Sequence, residues 1–118
     1  MEGDKAALRD GSVFEYCKLN DMVIQAWSVL QFGYFKGNFV GNEKFQQLNQ
    51  VLNRLALKYG VSPSAIAIAW VLRYPAKMQA VVGTTSPKHL IEASLASNVN
   101  LTRKEWYEIY LAAGNDLP

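Results

Sequence analysis

The amino-acid sequence predicts an α/β fold in which parallel strands alternate with helices. Two short apolar runs, residues 22–27 and 79–82, have the length and the continuous hydrophobicity of buried strands. Two helical segments separate them and two more follow, and strands that alternate with helices pair in parallel through right-handed crossovers. Because two strands are too few for a stable parallel sheet that is covered on both faces, we expect further strands to be required.

The first third of the chain predicts a loop, a short helix, the first strand and a long connector. Residues 1–11 are mostly polar and predict the loop, and helical spacing of apolar residues predicts a helix over residues 12–19. Residues 28–41 follow the strand and contain three of the eight glycines. Their aromatic residues are Phe32, Tyr34, Phe35 and Phe39. A connector of this length is more often a functional lid than a spacer.

The middle of the chain predicts two consecutive helices with clear ends. The first has apolar residues at three- and four-residue intervals: Phe45, Leu48, Leu52, Leu55 and Tyr59. Gly60 follows as its stop signal. The second begins with Ser62 as N-cap and Pro63 as the first helical residue. Its body, residues 65–72, is apolar nearly all round, which predicts burial on more than one side.

The last third predicts a strand, a tight turn and two capped helices. Residues 79–82 form the strand and residues 83–85 the turn, after which Ser86 caps the next helix. Thr102 and Glu105 have the spacing of a capping box, in which the hydroxyl and the carboxylate each accept a hydrogen bond from the other residue's backbone N–H.

Composition excludes several classes of function. The formal net charge is +2 and the twelve Lys and Arg residues are scattered, so no basic stripe indicates a nucleic-acid partner. One cysteine and one histidine allow neither an internal disulfide nor a His/Cys metal cluster, and Cys17 is expected to pack as a small apolar residue. Residues 2–5 are too polar for a signal peptide, and the longest apolar run is too short for a membrane span. We therefore expect a cytoplasmic protein without a membrane partner.

In parallel α/β folds, ligands bind at the carboxyl ends of the strands, and the second strand here ends in a segment suited to phosphate. Residues 83–86 form a small-residue turn that enters a capped helix, where free backbone N–H groups and the helix dipole favour an anion. Thr84, Thr85 and Ser86 add hydroxyl groups, and Lys88 and His89 add positive or potentially positive charge. The alternative is that these residues only cap the helix.

The first strand ends in Trp27 and Ser28. An indole at the mouth of a barrel can stack on a planar ring such as nicotinamide or a base, and the serine hydroxyl can bind a phosphate or a carbonyl. The alternative, which periodicity alone favours, is that Trp27 belongs to the core.

The sequence offers few candidates for acid–base or nucleophilic catalysis. His89 lies in the first turn of a helix and fits a surface or phosphate-contacting role. Glu43, Glu92 and Glu105 are expected as caps or on exposed faces, and most tyrosines belong to helical apolar stripes. The chain has no Gly-x-Gly-x-x-Gly, Walker or nucleophile-elbow motif.

Four segments resemble the aldo-keto reductases, in order and at the spacing of that family. Residues 24–30 are similar to the seventh barrel strand, and residues 59–72 to the helix before the last strand. Residues 80–93 resemble the eighth strand with the adenosine-phosphate loop, and residues 101–107 the C-terminal helix of bacterial members. The resemblance implies that residues 1–118 are a single partial domain, the C-terminal part of a (β/α)8 TIM barrel that contributes its last two parallel strands with flanking helices.

The resemblance also implies a dinucleotide site. Trp27 would stack on the nicotinamide, while Ser28 and Leu30 would line the pyrophosphate. The implied cofactor is NADP(H), with NAD(H) possible. The implied cofactor-binding residues are Trp27, Ser28, Val29, Leu30, Gly83, Thr84, Thr85, Ser86, His89 and Glu92.

Three positions depart from the family pattern. Gly83 and His89 stand where many members have a Lys and an Arg that bind the adenosine 2′-phosphate, so the preference for NADP(H) over NAD(H) is open. Ala93 stands where the family has an Asn, which alters the adenine contact and leaves Glu92 as the adenine-side partner.

Nothing in the chain resembles the family's Asp, Tyr, Lys and His tetrad, so the sequence predicts no catalytic residues. We therefore expect a fragment of an NAD(P)H-dependent reductase of aldehydes or ketones, inactive as an isolated chain. The alternatives are a non-catalytic nucleotide-binding or subunit-like interaction fragment, which could self-associate through its open strand edges, and a chain that folds poorly alone.

Overall fold

The computed structural model describes residues 11–33 and 36–117, so all but the last residue of the loop predicted for residues 1–11, and the aromatic residues Tyr34 and Phe35, lie outside it. Its elements, in chain order, are α1 (Ser12–Leu19), β1 (Ile24–Ala26), α2 (Gln46–Tyr59), α3 (Pro63–Leu72), β2 (Met78–Ala80), α4 (Pro87–Ser94) and α5 (Arg103–Ala112). Two 3-10 turns, Glu43–Phe45 and Leu95–Asn98, precede α2 and follow α4.

The two strands pair in parallel, as predicted, with Ile24 opposite Met78 and Ala26 opposite Ala80. Both are shorter than predicted, and β2 begins one residue earlier and ends two residues earlier than the run 79–82. The N–H of Met22 binds the Cys17 carbonyl at 2.8 Å and so completes the end of α1 instead of the sheet. Beyond β2 the last bond to β1 is the 2.8 Å bond that the Val81 N–H donates to the Ala26 carbonyl.

Helix α3 is the centre of the core. It buries five consecutive residues, from Ala65 to Ala69, which confirms the prediction of burial on more than one side. It packs against α2, α4, the 3-10 turn Leu95–Asn98 and β2. At its C-terminal end Trp70 stacks on Trp106 of α5 with ring centroids 4.8 Å apart, and each indole N–H donates to the other residue's carbonyl, at 3.0 and 3.1 Å. Helix α3 therefore contacts the sheet and the three helices α2, α4 and α5.

The helix ends follow the predicted signals. Gly60 ends α2 in the left-handed conformation at φ 66°, which glycine adopts without strain. The Ser62 hydroxyl accepts the Ala65 N–H at 3.2 Å, and Pro63 is the first residue of α3. Thr102 and Glu105 form the predicted capping box at the start of α5.

Glu105 is a cap, as predicted, and it is also buried, which the sequence did not indicate. Lys58 Nζ donates to it at 2.6 Å and the Tyr59 hydroxyl at 2.7 Å, so the cap of α5 is also a bridge to α2. Burial would raise the pKa of Glu105, but hydrogen bonds from Lys58, from the backbone and hydroxyl of Thr102 and from Tyr59 outweigh it and lower the pKa to about 2. Glu43, by contrast, is exposed as expected.

No single helix among the described residues is long and apolar enough to cross a bilayer. Glu43–Tyr59 and Pro63–Leu72 meet the requirements of length and composition only as a pair, and that pair is bent by 93°.

We predict that Leu52→Ala lowers the free energy of unfolding by about 2–5 kcal/mol, because the Leu52 side chain on α2 is completely buried in the core. Leu57→Ala is the matched control on the same helix. Its side chain is 86% exposed, and we expect a change within about 0.5 kcal/mol. Urea unfolding followed by circular dichroism measures both, and equal effects would contradict this core assignment.

We predict that Glu105→Gln lowers stability at pH 7 by on the order of 2–3 kcal/mol and weakens the pH dependence below pH 5. The folded-state pKa of about 2 lies below the ordinary value of 4.5. The carboxylate therefore stabilises the fold above pH 4.5, and this contribution is lost as the pH falls towards 2. Glu108→Gln is the control on the same helix, because Glu108 pairs with Arg54 at a more exposed position. Urea unfolding from pH 3 to pH 7 measures the free energy of unfolding of both proteins. The difference between wild type and Glu105→Gln should become smaller as the pH falls, and a constant difference would refute the role of the carboxylate.

Candidate functional site at the carboxyl ends of the strands

The segments that follow the two strands begin side by side at one edge of the sheet. This is a consequence of parallel pairing, because Ala26 lies opposite Ala80 and the bond between Val81 and Ala26 extends the pairing by one residue. Residues 27–30 and 81–86 therefore leave the sheet in neighbouring positions. The structure brings together the starting points of the two candidate regions that the sequence indicated.

Trp27 is 68% exposed, so the alternative that it belongs to the core is wrong for this chain. β1 ends at Ala26, so Trp27 lies just beyond the paired part of the strand. Ser28 has φ 55°, a left-handed conformation that is uncommon for a residue with a side chain, and its carbonyl accepts the Gln31 N–H at 2.9 Å. Val29 and Leu30 are half-buried and pack against the core. Residues 27 and 28 thus face outwards on a segment that residues 29 and 30 attach to the protein.

The second segment enters α4 through local caps. Thr84 Oγ1 accepts the Ser86 N–H at 3.1 Å, and Ser86 Oγ accepts the His89 N–H at 3.4 Å. Both hydroxyl oxygens therefore accept hydrogen bonds from backbone N–H groups of the same segment. The N–H groups of Thr85 and Lys88 have no acceptor within the described part of the chain. Free N–H groups at a helix N-terminus suit an anion.

Gly83 lies in open space. A Cβ atom built on it would meet no atom within 4 Å, so this position has room for a side chain. His89 is exposed on α4, and Glu92, one turn further along, is half-buried with its carboxylate 3.9 Å from Lys88 Nζ. The candidate adenine-side residue Glu92 is thus paired with a lysine of the same helix, at a long distance for an ion pair.

The connector after Trp27 is a hairpin at its base rather than a structureless loop. Gln31 and Asn38 form an antiparallel bridge, and the Phe39 N–H donates to the Leu30 carbonyl at 3.1 Å. Phe32 and Phe39 both contact the Phe45 ring, with centroids 5.1 and 6.4 Å apart. Phe32 and Phe39 therefore join the base of the connector to the beginning of α2.

Sequence reasoning missed Asn49, a buried amide on α2 that holds this connector. Its Nδ2 donates to the carbonyls of Phe39, Asn42 and Phe45, and its Oδ1 accepts the Gly41 N–H. The available signal was an asparagine directly after Leu48 on the apolar face of a helix, where asparagine has poor intrinsic propensity.

Two clefts in the described part of the chain lie away from this edge. One, of about 420 Å³, is lined by Cys17, Met22 and Lys77 among others, at the opposite, amino ends of the strands. The other, of about 320 Å³, lies between Arg73, Arg103 and the aromatic rings near them. Neither includes a residue of the candidate site, which is an open surface.

Comparison with known proteins identifies relatives over most of the chain. It is 37% identical over 94 residues to a 6-dehydroglucose reductase of Agrobacterium fabrum, an alignment that covers 78% of this chain and 30% of that enzyme. A 6-dehydroglucose reductase of Novosphingobium aromaticivorans is 29% identical, with 79% and 30% coverage, and the oxidoreductase YdhF of Escherichia coli is 30% identical, again with 79% and 30%. The chain thus spans about 30% of the length of the curated relatives it matches.

A solved structure has the same fold. The crystal structure of a thermostable aldo-keto reductase in complex with the inhibitor epalrestat superimposes with a TM-score of 0.65 at 22% identity, over 91% of this chain and 34% of that one. This likeness confirms the predicted fold class, part of a (β/α)8 barrel. The family model described as the aldo/keto reductase family matches residues 7–112. The chain belongs to the aldo/keto reductase family.

Proposed function

We propose that this chain forms the cofactor side of an NAD(P)H-dependent aldo/keto reductase, with residues 1–118 as a single partial domain. The observation that carries the proposal is the exposed Trp27 at the carboxyl end of β1, beside the strand end that leads into the capped N-terminus of α4. A planar stacking surface and an anion site at neighbouring strand ends are what a dinucleotide requires.

The nicotinamide end would lie on Trp27. An indole that is 68% exposed offers a face for stacking, and covering it with a planar ring removes apolar surface from water. Ser28 and Leu30 would line the pyrophosphate, with Val29 packed behind them.

The adenosine end would lie on residues 83–89. The free N–H groups of Thr85 and Lys88 and the hydroxyl groups of Thr84, Thr85 and Ser86 would bind phosphate. A hydroxyl whose oxygen accepts a backbone N–H can still donate its own hydrogen, so the local caps do not exclude this role. His89 would contribute a further contact, and Glu92 an adenine-side partner.

When bound, the reduced nicotinamide supplies a hydride to the carbonyl carbon of an aldehyde or a ketone. This chain would orient the cofactor through the two segments, and the paired residues 30–32 and 37–39 would limit access of water to the pyrophosphate. We propose no proton donor within the chain. The curated relatives named 6-dehydroglucose reductase make a sugar-derived aldehyde the first substrate to test with a complete barrel.

We predict that the 118-residue chain binds NADPH and that Trp27→Leu raises the dissociation constant about five- to tenfold, because a stacked aromatic contributes about 1 kcal/mol. Isothermal titration calorimetry measures the dissociation constant directly, and quenching of tryptophan fluorescence reports contact of the cofactor with the Trp27 indole. Tyr16→Leu is the matched control, since Tyr16 is an aromatic side chain on α1 with similar exposure, 62%. The site assignment fails if wild-type chain does not bind the cofactor, or if both substitutions weaken binding equally.

We predict that Gly83→Lys shifts the preference towards NADP(H) over NAD(H) by about three- to tenfold, because it adds a cation where the 2′-phosphate would lie and the position has room for it. Gly83→Met has nearly the same length without the charge and should leave the ratio unchanged. Dissociation constants for both cofactors at two salt concentrations test this, since an ionic contact weakens with salt. A shift of the same size in Gly83→Met would refute the ionic explanation.

A further inference from the structure

Asn49 is a polar residue in an apolar place. It is 8% exposed on the face of α2 that also buries Leu48 and Leu52. An amide in such a position costs free energy unless its hydrogen-bonding groups are satisfied. Here they are, because Nδ2 lies 2.9, 3.1 and 3.0 Å from the carbonyls of Phe39, Asn42 and Phe45, and Oδ1 accepts the Gly41 N–H at 2.8 Å. The two amide hydrogens are shared among three carbonyls.

The bonds of Asn49 lead directly to residues 27–30. The Phe39 carbonyl accepts from Asn49, and the Phe39 N–H donates to the Leu30 carbonyl at 3.1 Å. Leu30 is three residues after Trp27, and the turn between them contains Ser28 at φ 55°. A residue in that conformation persists only where the surrounding structure holds it. One buried side chain thus reaches this strained turn through a single intervening residue.

Leucine at this position would have a higher helix propensity and would extend the apolar face of α2. It would also leave the Gly41 N–H without the acceptor that Asn49 provides. Four residues bond the Asn49 side chain: Phe39 and Gly41 lie in the connector, Asn42 follows it directly, and Phe45 belongs to the turn before α2. The amide therefore fixes the position of the connector relative to the helix.

We propose that Asn49 is a positioning residue for cofactor binding, which acts through Phe39 to hold Leu30 and the turn at residues 27–30 in the conformation that presents Trp27 and Ser28. This inference rests on the proposed cofactor site. Its physical content is preorganisation: a segment already held in the bound conformation does not lose that conformational freedom when the cofactor binds.

The test compares Asn49→Ala and Asn49→Leu with Asn53→Ala. Asn53 is the same residue type one turn further along α2 and is exposed. Asn49→Leu restores apolar packing without the hydrogen bonds, so it keeps the test decisive if the alanine variant fails to fold. Three quantities are measured on the 118-residue chain at a temperature where all variants are folded: the NADPH dissociation constant, the melting temperature, and amide hydrogen exchange at Phe39 and Gly41.

We expect both Asn49 variants to raise the dissociation constant about tenfold and to lose exchange protection at Phe39 and Gly41, while Asn53→Ala matches wild type. A purely structural role predicts a lower melting temperature with unchanged affinity of the folded chain, and that result overturns the inference. If wild-type chain binds NADPH and the Asn49 variants bind equally well, only this inference fails. Lack of binding by wild-type chain overturns the proposed function and the inference together.

Discussion

The burial of α3 is the constraint on which the other parts of the structure depend. A helix that is apolar nearly all round has no face that tolerates water, so it must be covered by several elements at once. Helix α2 covers one side, β2 and α4 cover others, and Trp106 of α5 closes the C-terminal end. Because α3 also precedes β2, its position fixes where that strand enters the sheet. The parallel pairing with β1 then brings residues 27–30 and 81–86 to a common edge.

Local signals in the sequence predicted the helix ends well. Gly60, Ser62, Ser86 and the box of Thr102 and Glu105 act through partners within four residues, so their chemistry is contained in a short stretch of sequence. The strand ends were predicted less well, because a strand is defined by its neighbour, and the N–H of Met22 is taken by Cys17 at the end of α1. The site was predicted as two segments, and the parallel register decided that they start side by side.

The exposure of Trp27 shows why periodicity was insufficient for single residues. The apolar character of Trp27 favoured the core. Whether a side chain is covered depends, however, on how many strands lie beside its own at the same position along the strand. In the described chain β1 pairs with β2, and the pairing ends at Ala26 and Val81. The resemblance to the family assigned Trp27 a ligand-facing role, and that remains a proposal which the exposure of its side chain supports.

The two polar side chains whose burial the sequence did not indicate differ in how distant their partners are along the chain, and this separates their roles. Glu105 binds Lys58 and Tyr59, about 47 residues away, so it joins α5 to α2. Its hydrogen bonds therefore contribute to the free energy of unfolding. Asn49 binds Phe39, Gly41 and Asn42, seven to ten residues away. It therefore joins α2 to the connector that precedes it, and not to another helix. Because its hydrogen bonds all go to backbone groups around the start of α2, Asn49 fixes the conformation of the connector as well as contributing to stability. That connector begins at the exposed end of β1, where the proposed cofactor site lies.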